Sequence, residues 1–271
     1  MPAPNAISVE KLARLIGTPA SPLIIDVRTD DDFAADPRHI PASRRISHGD
    51  EATLAALPSD RTIVVSCHKG LKLSEGVAAL LRLRGIDAMN LEGGHLAWVA
   101  AQQPLVPASA IPVHASAGHS RWVTRHRPKI DRIACPWLIL RFVDPQAEFL
   151  YVTPDQVTGV AERFDATPFD METGFWTHEG ENCTFDKMLS EFGLKTVVLL
   201  RLADIVRCAD TNRLGDNPQA AGLLAISVGL SRQYSDDLEQ LRAGLAVYDA
   251  LYRWCRDGTD EVHSWPVRAK T

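Results

Sequence analysis

Cys67 closes the apolar run Thr62-Ile63-Val64-Val65-Ser66 and is followed by His68-Lys69-Gly70-Leu71-Lys72-Leu73. A thiol at the carboxyl end of a buried strand, ahead of a glycine-containing loop and a helix, is placed to act as a nucleophile. The amides of such a loop and of the helix N-terminus favour the thiolate and hold an anion beside it. His68, Lys69 and Lys72 add positive charge, so a small anionic sulfur donor and the attacking thiolate are stabilised together. The competing reading is an inert buried thiol at a strand end, around which these cationic neighbours have no purpose.

A second group of chemistry-bearing residues lies in the other half of the chain. Arg125, His126, Arg127, Lys129 and Arg132 make its most basic stretch and offer a landing site for a doubly charged oxyanion such as chromate or sulfate. A solvated basic face pairing with the surplus acids accounts for the same residues. Asp131 and Cys135 share one face of an expected helix, and His178-Glu179-Gly180-Glu181-Asn182-Cys183 brings imidazole, carboxylate and thiol donors into one loop. Such a set suits a divalent metal or Cr(III), with Glu148, Asp170 and Asp186 as carboxylates to complete the shell. Structural roles for each pair are the alternative.

These residues need elements to position them. Over residues 1–105 short apolar strands at 23–27, 62–66 and 88–91 alternate with helical patterns at 7–16, where Ser8 is the expected N-cap, and at 73–83, stopped near Gly85. That alternation predicts an α/β domain with a largely parallel sheet flanked by helices. The triplet Asp30-Asp31-Asp32 reads as a solvated turn. From 102 to 120 the composition turns to proline, alanine and serine, and residues 106–120 are expected to be a linker. Residues 121–271 read as an α-rich α+β domain, with strands at 122–125 and 148–152, helices at 130–142, 154–163, 222–230 and 238–254, and an apolar run VVLL within 195–208. Leu223, Leu224, Ile226, Leu230, Leu238, Leu241, Leu245 and Tyr248 recur at helical intervals as core or as the seam of a homodimer, and the tail from Asp257 is expected to be loose.

Composition narrows the function classes. A length of 271 residues, 45% of them hydrophobic, supports two packed domains. The formal net charge of −5 argues against a dedicated nucleic-acid binder. The five scattered cysteines form no CxxC pair, which argues against a disulfide framework or a zinc ribbon and for reduced thiols in a cytosol. No apolar stretch approaches the roughly 20 residues of a membrane span, and the start carries no signal-peptide pattern, so a cytoplasmic protein with no membrane partner is expected.

Ile25-Asp26-Val27-Arg28, His39-Ile40-Pro41-Ala42, the loop from Cys67 to Leu73, and Leu91-Glu92-Gly93-Gly94 with Ala97-Trp98 resemble, in order and spacing, the rhodanese family of sulfurtransferases. The resemblance implies ping-pong transfer in which Cys67 takes a sulfane sulfur from a donor such as thiosulfate and passes it to cyanide or a thiol acceptor, without a cofactor. It implies that the amides of His68, Lys69, Gly70, Leu71, Lys72 and Leu73 cradle the persulfide and that Asp26 and Arg28 hold the loop. Lys72 stands where arginine is usual, Leu73 where a hydroxyl residue is common, and Arg38 and Ala42 where glycines are usual, which suggests altered backbone geometry in that turn.

Trp122-Val123-Thr124-Arg125, Arg127 to Ile139, Phe142-Val143-Asp144, Glu148 to Val152, Pro168-Phe169-Asp170, His178 to Asp186, Ala209-Asp210-Thr211 and Ala220 to Leu230 resemble the C-terminal domain of ChrB-type chromate-resistance proteins. That resemblance implies chromate resistance or chromate-responsive regulation. In the regulators a DNA-binding domain precedes this one; here the rhodanese-like half takes its place. The expected activity is sulfur transfer in a chromate-resistance context, with a C-terminal domain that binds an oxyanion or metal. The alternative is a chromate or redox sensor without significant turnover.

Overall fold

A computed structural model describes residues 5–112 and 118–261. Strand β1 (Ala6–Ile7) enters helix α1 (Val9–Leu15), which Ser8 caps by accepting from the Lys11 amide. Next come β2 (Leu23–Asp26), α2 (Asp30–Ala35), β3 (Arg38–His39), β4 (Ser43–Arg45) and α3 (Glu51–Ala55). β5 (Ile63–Ser66), α4 (Lys72–Leu83), β6 (Ala88–Leu91) and α5 (Gly94–Ala100) complete the unit. Five parallel strands pair in the order β1-β6-β5-β2-β4. The almost wholly apolar β2 and β5 occupy the interior positions, as strands covered on both faces must. Their carboxyl ends therefore lie side by side, with Asp26 opposite Ser66, and Cys67 emerges at the sheet edge where open α/β folds receive ligands.

Two local expectations change. The acidic triplet is the first turn of α2 behind the Thr29 N-cap, where carboxylates meet the positive end of the helix dipole. The stretch expected to be a linker begins with β7 (Val106–Pro107), which pairs antiparallel with β3 and buries Val106. A two-residue strand is too short to leave a period in the sequence. Residues 113–117 of the stretch lie outside the described residues.

The second unit runs through β8 (Arg121–Arg125), α6 (Asp131–Leu138), β9 (Glu148–Val152), α7 (Val157–Phe164) and β10 (Thr167–Pro168). It continues with α8 (Thr184–Glu191), α9 (Val197–Asp210), α10 (Ala220–Gln233) and α11 (Asp237–Asp257). Its parallel sheet has the order β10-β8-β9. The helix expected over 130–142 breaks into α6 and a π-turn at Ile139–Val143. Pro136 brings no amide to the Arg132 carbonyl, and the Tyr151 hydroxyl donates to that oxygen instead at 2.9 Å.

Of the apolar residues near the end of the chain, Leu223, Leu241 and Tyr248 are buried, whereas Ile226 and Leu238 are exposed. The tail expected to be loose lies outside the described residues from 262 onward. Among the described residues no helix is long and apolar enough to cross a membrane. Buried side chains of both units join in one apolar cluster that includes Leu12, Ile24 and Trp98 on one side and Trp137, Phe142 and Tyr252 on the other.

Candidate functional site

β5 delivers Cys67 to the mouth of the sheet, and α4 begins five residues later with no side chain accepting from its first amides. Those free N–H groups leave the positive end of the helix dipole beside the loop. The partner of the sulfur is the Ser74 hydroxyl, 3.2 Å from Cys67 Sγ, and Ser74 also donates to the Leu71 carbonyl at 3.2 Å. The hydroxyl missing at Leu73 is thus supplied one residue later, at a position that the spacing of the loop did not single out. Cys67 is only 4% exposed, packed with Ile25, Val27, Val65 and Val77, while Lys69, Leu71 and Lys72 face solvent. His68 is half-buried, and its Nδ1 has no hydrogen-bond partner among the described residues.

Close approach of two backbones fixes the loop. Gly70 at φ +67° and Gly94 at φ +59° face each other; a Cβ on Gly94 would lie 2.2 Å from the Cys67 carbonyl oxygen. The first amides of α5 then close on the loop: His95 N donates to Cys67 O at 2.9 Å and Leu96 N to His68 O at 3.0 Å.

Asp26 and Arg28, expected to hold this loop, make no side-chain hydrogen bond to it among the described residues. They form a buried pair, Arg28 Nη2 to Asp26 Oδ2 at 2.6 Å, and the guanidinium holds the carbonyls of Asp36 and Arg38 at 2.9 and 2.8 Å. Asp36 in turn binds His95 Nε2 at 2.9 Å, so the pair supports the loop from behind, through α5. The Arg38 and His95 side chains beside Asp36 hold its carboxyl well below the usual carboxylate range. Ala42 adopts the left-handed conformation, φ 61°, that glycine ordinarily supplies.

In the second unit, Asp131 at the start of α6, Asp170 after β10, and His178 before α8 converge within 4.8 Å. Asp210, the last residue of α9, joins them at 3.2 Å from His178 Nε2. Asp131 is fully buried and accepts from the Phe185 amide at 3.3 Å. Burial, and then Asp210 and Asp170, push its carboxyl well above the usual range. The carboxylates of Asp170 and Asp210 beside it raise the His178 imidazole to about 10. Arg125 and Arg132 each approach Asp170 Oδ2 at 3.3 Å, and Thr184 donates to Asp170 Oδ1 at 3.1 Å. Ile130 and Asp170 hold φ of 41° and 52°, and such strained backbone clusters at functional sites.

Other expected members stand apart. Arg127 is tied to α10 and α11, through Asp237 Oδ1 to its amide and the Ser231 carbonyl to its guanidinium. Lys129 makes no ion pair among the described residues. Arg125, Arg127 and Arg132 of the basic stretch thus all make internal contacts. Glu179 is bound to Lys187, Glu148 to Arg121, and Asp186 to Arg207, away from the cluster. Cys135 and Cys183 are buried, and burial, followed by the charge of Asp131, pushes both thiols up. Asp210 was not among the expected ligands; its one local signal is a carboxylate at a helix C-terminus, where the dipole disfavours it.

Comparison with known proteins accords with this division. Residues 8–101 match a family model described as Rhodanese-like domain, and residues 122–255 one described as ChrB, C-terminal domain. Over 135 residues the chain is 34% identical to Protein ChrB of Cupriavidus metallidurans, covering 49% of this chain and 40% of that relative. The chain thus spans less than half the length of that protein. It is 27% identical over 103 residues to a sulfurtransferase of Allochromatium vinosum, covering 38% of this chain and 94% of the relative. A solved rhodanese-like domain protein from Staphylococcus aureus shares 30% identity, covers 35% of this chain and 90% of its own, and superposes with a TM-score of 0.31. By the two family models, the chain carries a rhodanese-like domain at residues 8–101 and a ChrB C-terminal domain at residues 122–255.

Proposed function

We propose that the chain is a cytoplasmic sulfurtransferase of the rhodanese type acting in chromate resistance, with a C-terminal domain that binds an ion. The Cys67 thiolate attacks the sulfane sulfur of a small anionic donor such as thiosulfate. A new S–S bond forms at Cys67, the S–S bond of the donor breaks, and sulfite leaves with its electron pair. Cyanide or a thiol acceptor then attacks the outer sulfur, the persulfide bond breaks, and the thiolate returns. No cofactor enters this cycle.

The observation that carries the reading is Cys67 at the carboxyl edge of the parallel sheet, at the head of α4, with the Ser74 hydroxyl 3.2 Å from its sulfur. Lys69 and Lys72, exposed at the loop rim, supply the charge that attracts an anionic donor. Purified protein is expected to release thiocyanate from thiosulfate and cyanide. Cys67→Ala abolishes this, and mass spectrometry of donor-treated protein finds one added sulfur atom on Cys67.

The burial of Cys67, 4% exposed, favours a second reading, in which sulfuration or oxidation of the thiol is a signal rather than a step in turnover. A persulfide that forms on Cys67 but is not discharged by cyanide or by small thiols would select that reading. Absence of any persulfide would reject both.

A further inference from the structure

Three side chains from separate parts of the second domain, Asp131, Asp170 and His178, close around one point, and Asp210 approaches the His178 imidazole beside them. His178 Nε2 stands 3.2 Å from Asp210 Oδ2, 3.5 Å from Asp170 Oδ1 and 3.6 Å from Asp131 Oδ2. One N–H serves one acceptor well, and the two longer separations are beyond good hydrogen-bonding distance. They are slightly longer than the edges of a coordination polyhedron, in which ligand atoms at about 2.1 Å from a common centre lie roughly 3.0 to 3.4 Å apart, and a bound ion would draw them in.

An independent observation calls for a cation. Asp131 has a side chain with 0% exposure, and its Oδ1 has no hydrogen-bond partner among the described residues. A buried carboxylate oxygen left this way costs about 1 to 3 kcal/mol or more, and a positive ion is the partner it lacks. Asp210 sits on the last residue of α9, where the helix dipole opposes it, so its position also gains from a nearby positive charge. Arg125, Arg132 and Thr184 hold the Asp170 carboxylate in place, as outer groups orient metal ligands. His178, 40% exposed, leaves the point open to solvent from one side.

We infer that Asp131, Asp170 and His178, with Asp210 paired to the imidazole beside them, form a binding site for a divalent first-row metal ion of the manganese or iron type. Two carboxylate oxygens and one imidazole nitrogen are hard to borderline donors and suit such an ion better than a soft one. The thiols take no part: Cys183 Sγ donates to Asp186 Oδ2 at 3.3 Å. The inference rests on the proposed ion-binding role of the C-terminal domain and is independent of Cys67.

Mn(II) is the probe. Full-length protein is stripped with a chelator, dialysed and titrated with Mn(II), and the free ion is followed by electron paramagnetic resonance. Stoichiometric binding is expected, with a rise in melting temperature. His178→Gln and Asp210→Asn, both at partly exposed positions, weaken it at least about tenfold while circular dichroism shows them folded. Cys67→Ala binds as the unaltered protein does. Folded protein that retains no Mn(II), or binding unchanged in both variants, overturns the assignment. So does Zn(II) binding that disappears in Cys135→Ser and Cys183→Ser but survives His178→Gln. Thiocyanate release is measured on the same preparations: its absence alongside intact Mn(II) binding rejects the sulfurtransferase reading and leaves this one standing.

Discussion

The Ser74 hydroxyl has one proton and two neighbours able to take it, the Leu71 carbonyl and Cys67 Sγ, each at 3.2 Å. With a neutral thiol the proton goes to Leu71 and Cys67 donates to the hydroxyl; once the sulfur is ionised, rotation about one bond redirects it. Ser74→Ala removes a hydrogen bond to a charged group, about 1.5 kcal/mol, so thiocyanate formation should fall roughly tenfold. Loss of activity per folded molecule, with folding measured by circular dichroism, separates this role from support of the helix start. His39 gives a second test at this scale. Burial holds its imidazole at about 4, below the ordinary 6.5. Between those values the unfolded chain binds a proton that the native state refuses, so stability falls as pH drops from about 6.5 toward about 4. The ring is only partly buried, so the loss is about 1 to 2 kcal/mol. Urea titrations at pH 7 and pH 5 should show it, and His39→Leu should flatten the difference. Cys67, Asp131 and His178 are legible from residue type and local spacing. Ser74 and Asp210 are not, because their reach depends on where α4 starts and where α9 stops.

Elements set that reach. The Cys67 loop and the start of α5 lock together because neither Gly70 nor Gly94 carries a Cβ: on Gly70 it would lie 2.5 Å from Gly94 N, and on Gly94 2.2 Å from Cys67 O. Backbone atoms fill both spaces, so no rotamer change relieves the clash. Gly94→Ala should cost about 2 kcal/mol or more, with the left-handed φ of the residue adding to the collision. Because the same shift lifts His95 and Leu96 from the loop carbonyls, sulfur transfer should fall further than the folded fraction does. Activity per folded molecule, with folding measured by circular dichroism, checks this. The strands β2, β5 and β6 and the helices α1 and α4 follow from apolar runs and their punctuation, whereas the short α2, α3 and α5 do not. The break of the 130–142 helix does not, since the Tyr151 hydroxyl that replaces the missing Pro136 amide comes from β9, a non-local partner.

At the scale of the molecule, the family matches fall on either side of residues 102–121, yet the apolar core does not respect that boundary. Composition reveals the break, whereas the shared core is illegible because apolar residues of α1 and of 137–142 look like the interior of their own units. Phe142 is the joint. Its ring stands 5.7 Å from Trp137 and 5.5 Å from Tyr252, its carbonyl accepts from Ala42 N at 2.7 Å, and its ring fills the space left by the absent Cβ of Gly17. Phe142→Ala deletes a ring that is 4% exposed and leaves a cavity between the units, a loss of about 3 to 5 kcal/mol. If that contact couples the halves, the unaltered protein melts in one calorimetric transition and Phe142→Ala in two, with Mn(II) raising only the transition of the C-terminal half. A single transition displaced to lower temperature in the variant would place the coupling elsewhere, in the contact of Arg256 with the Arg14 carbonyl at 2.9 Å or in the rest of the shared cluster.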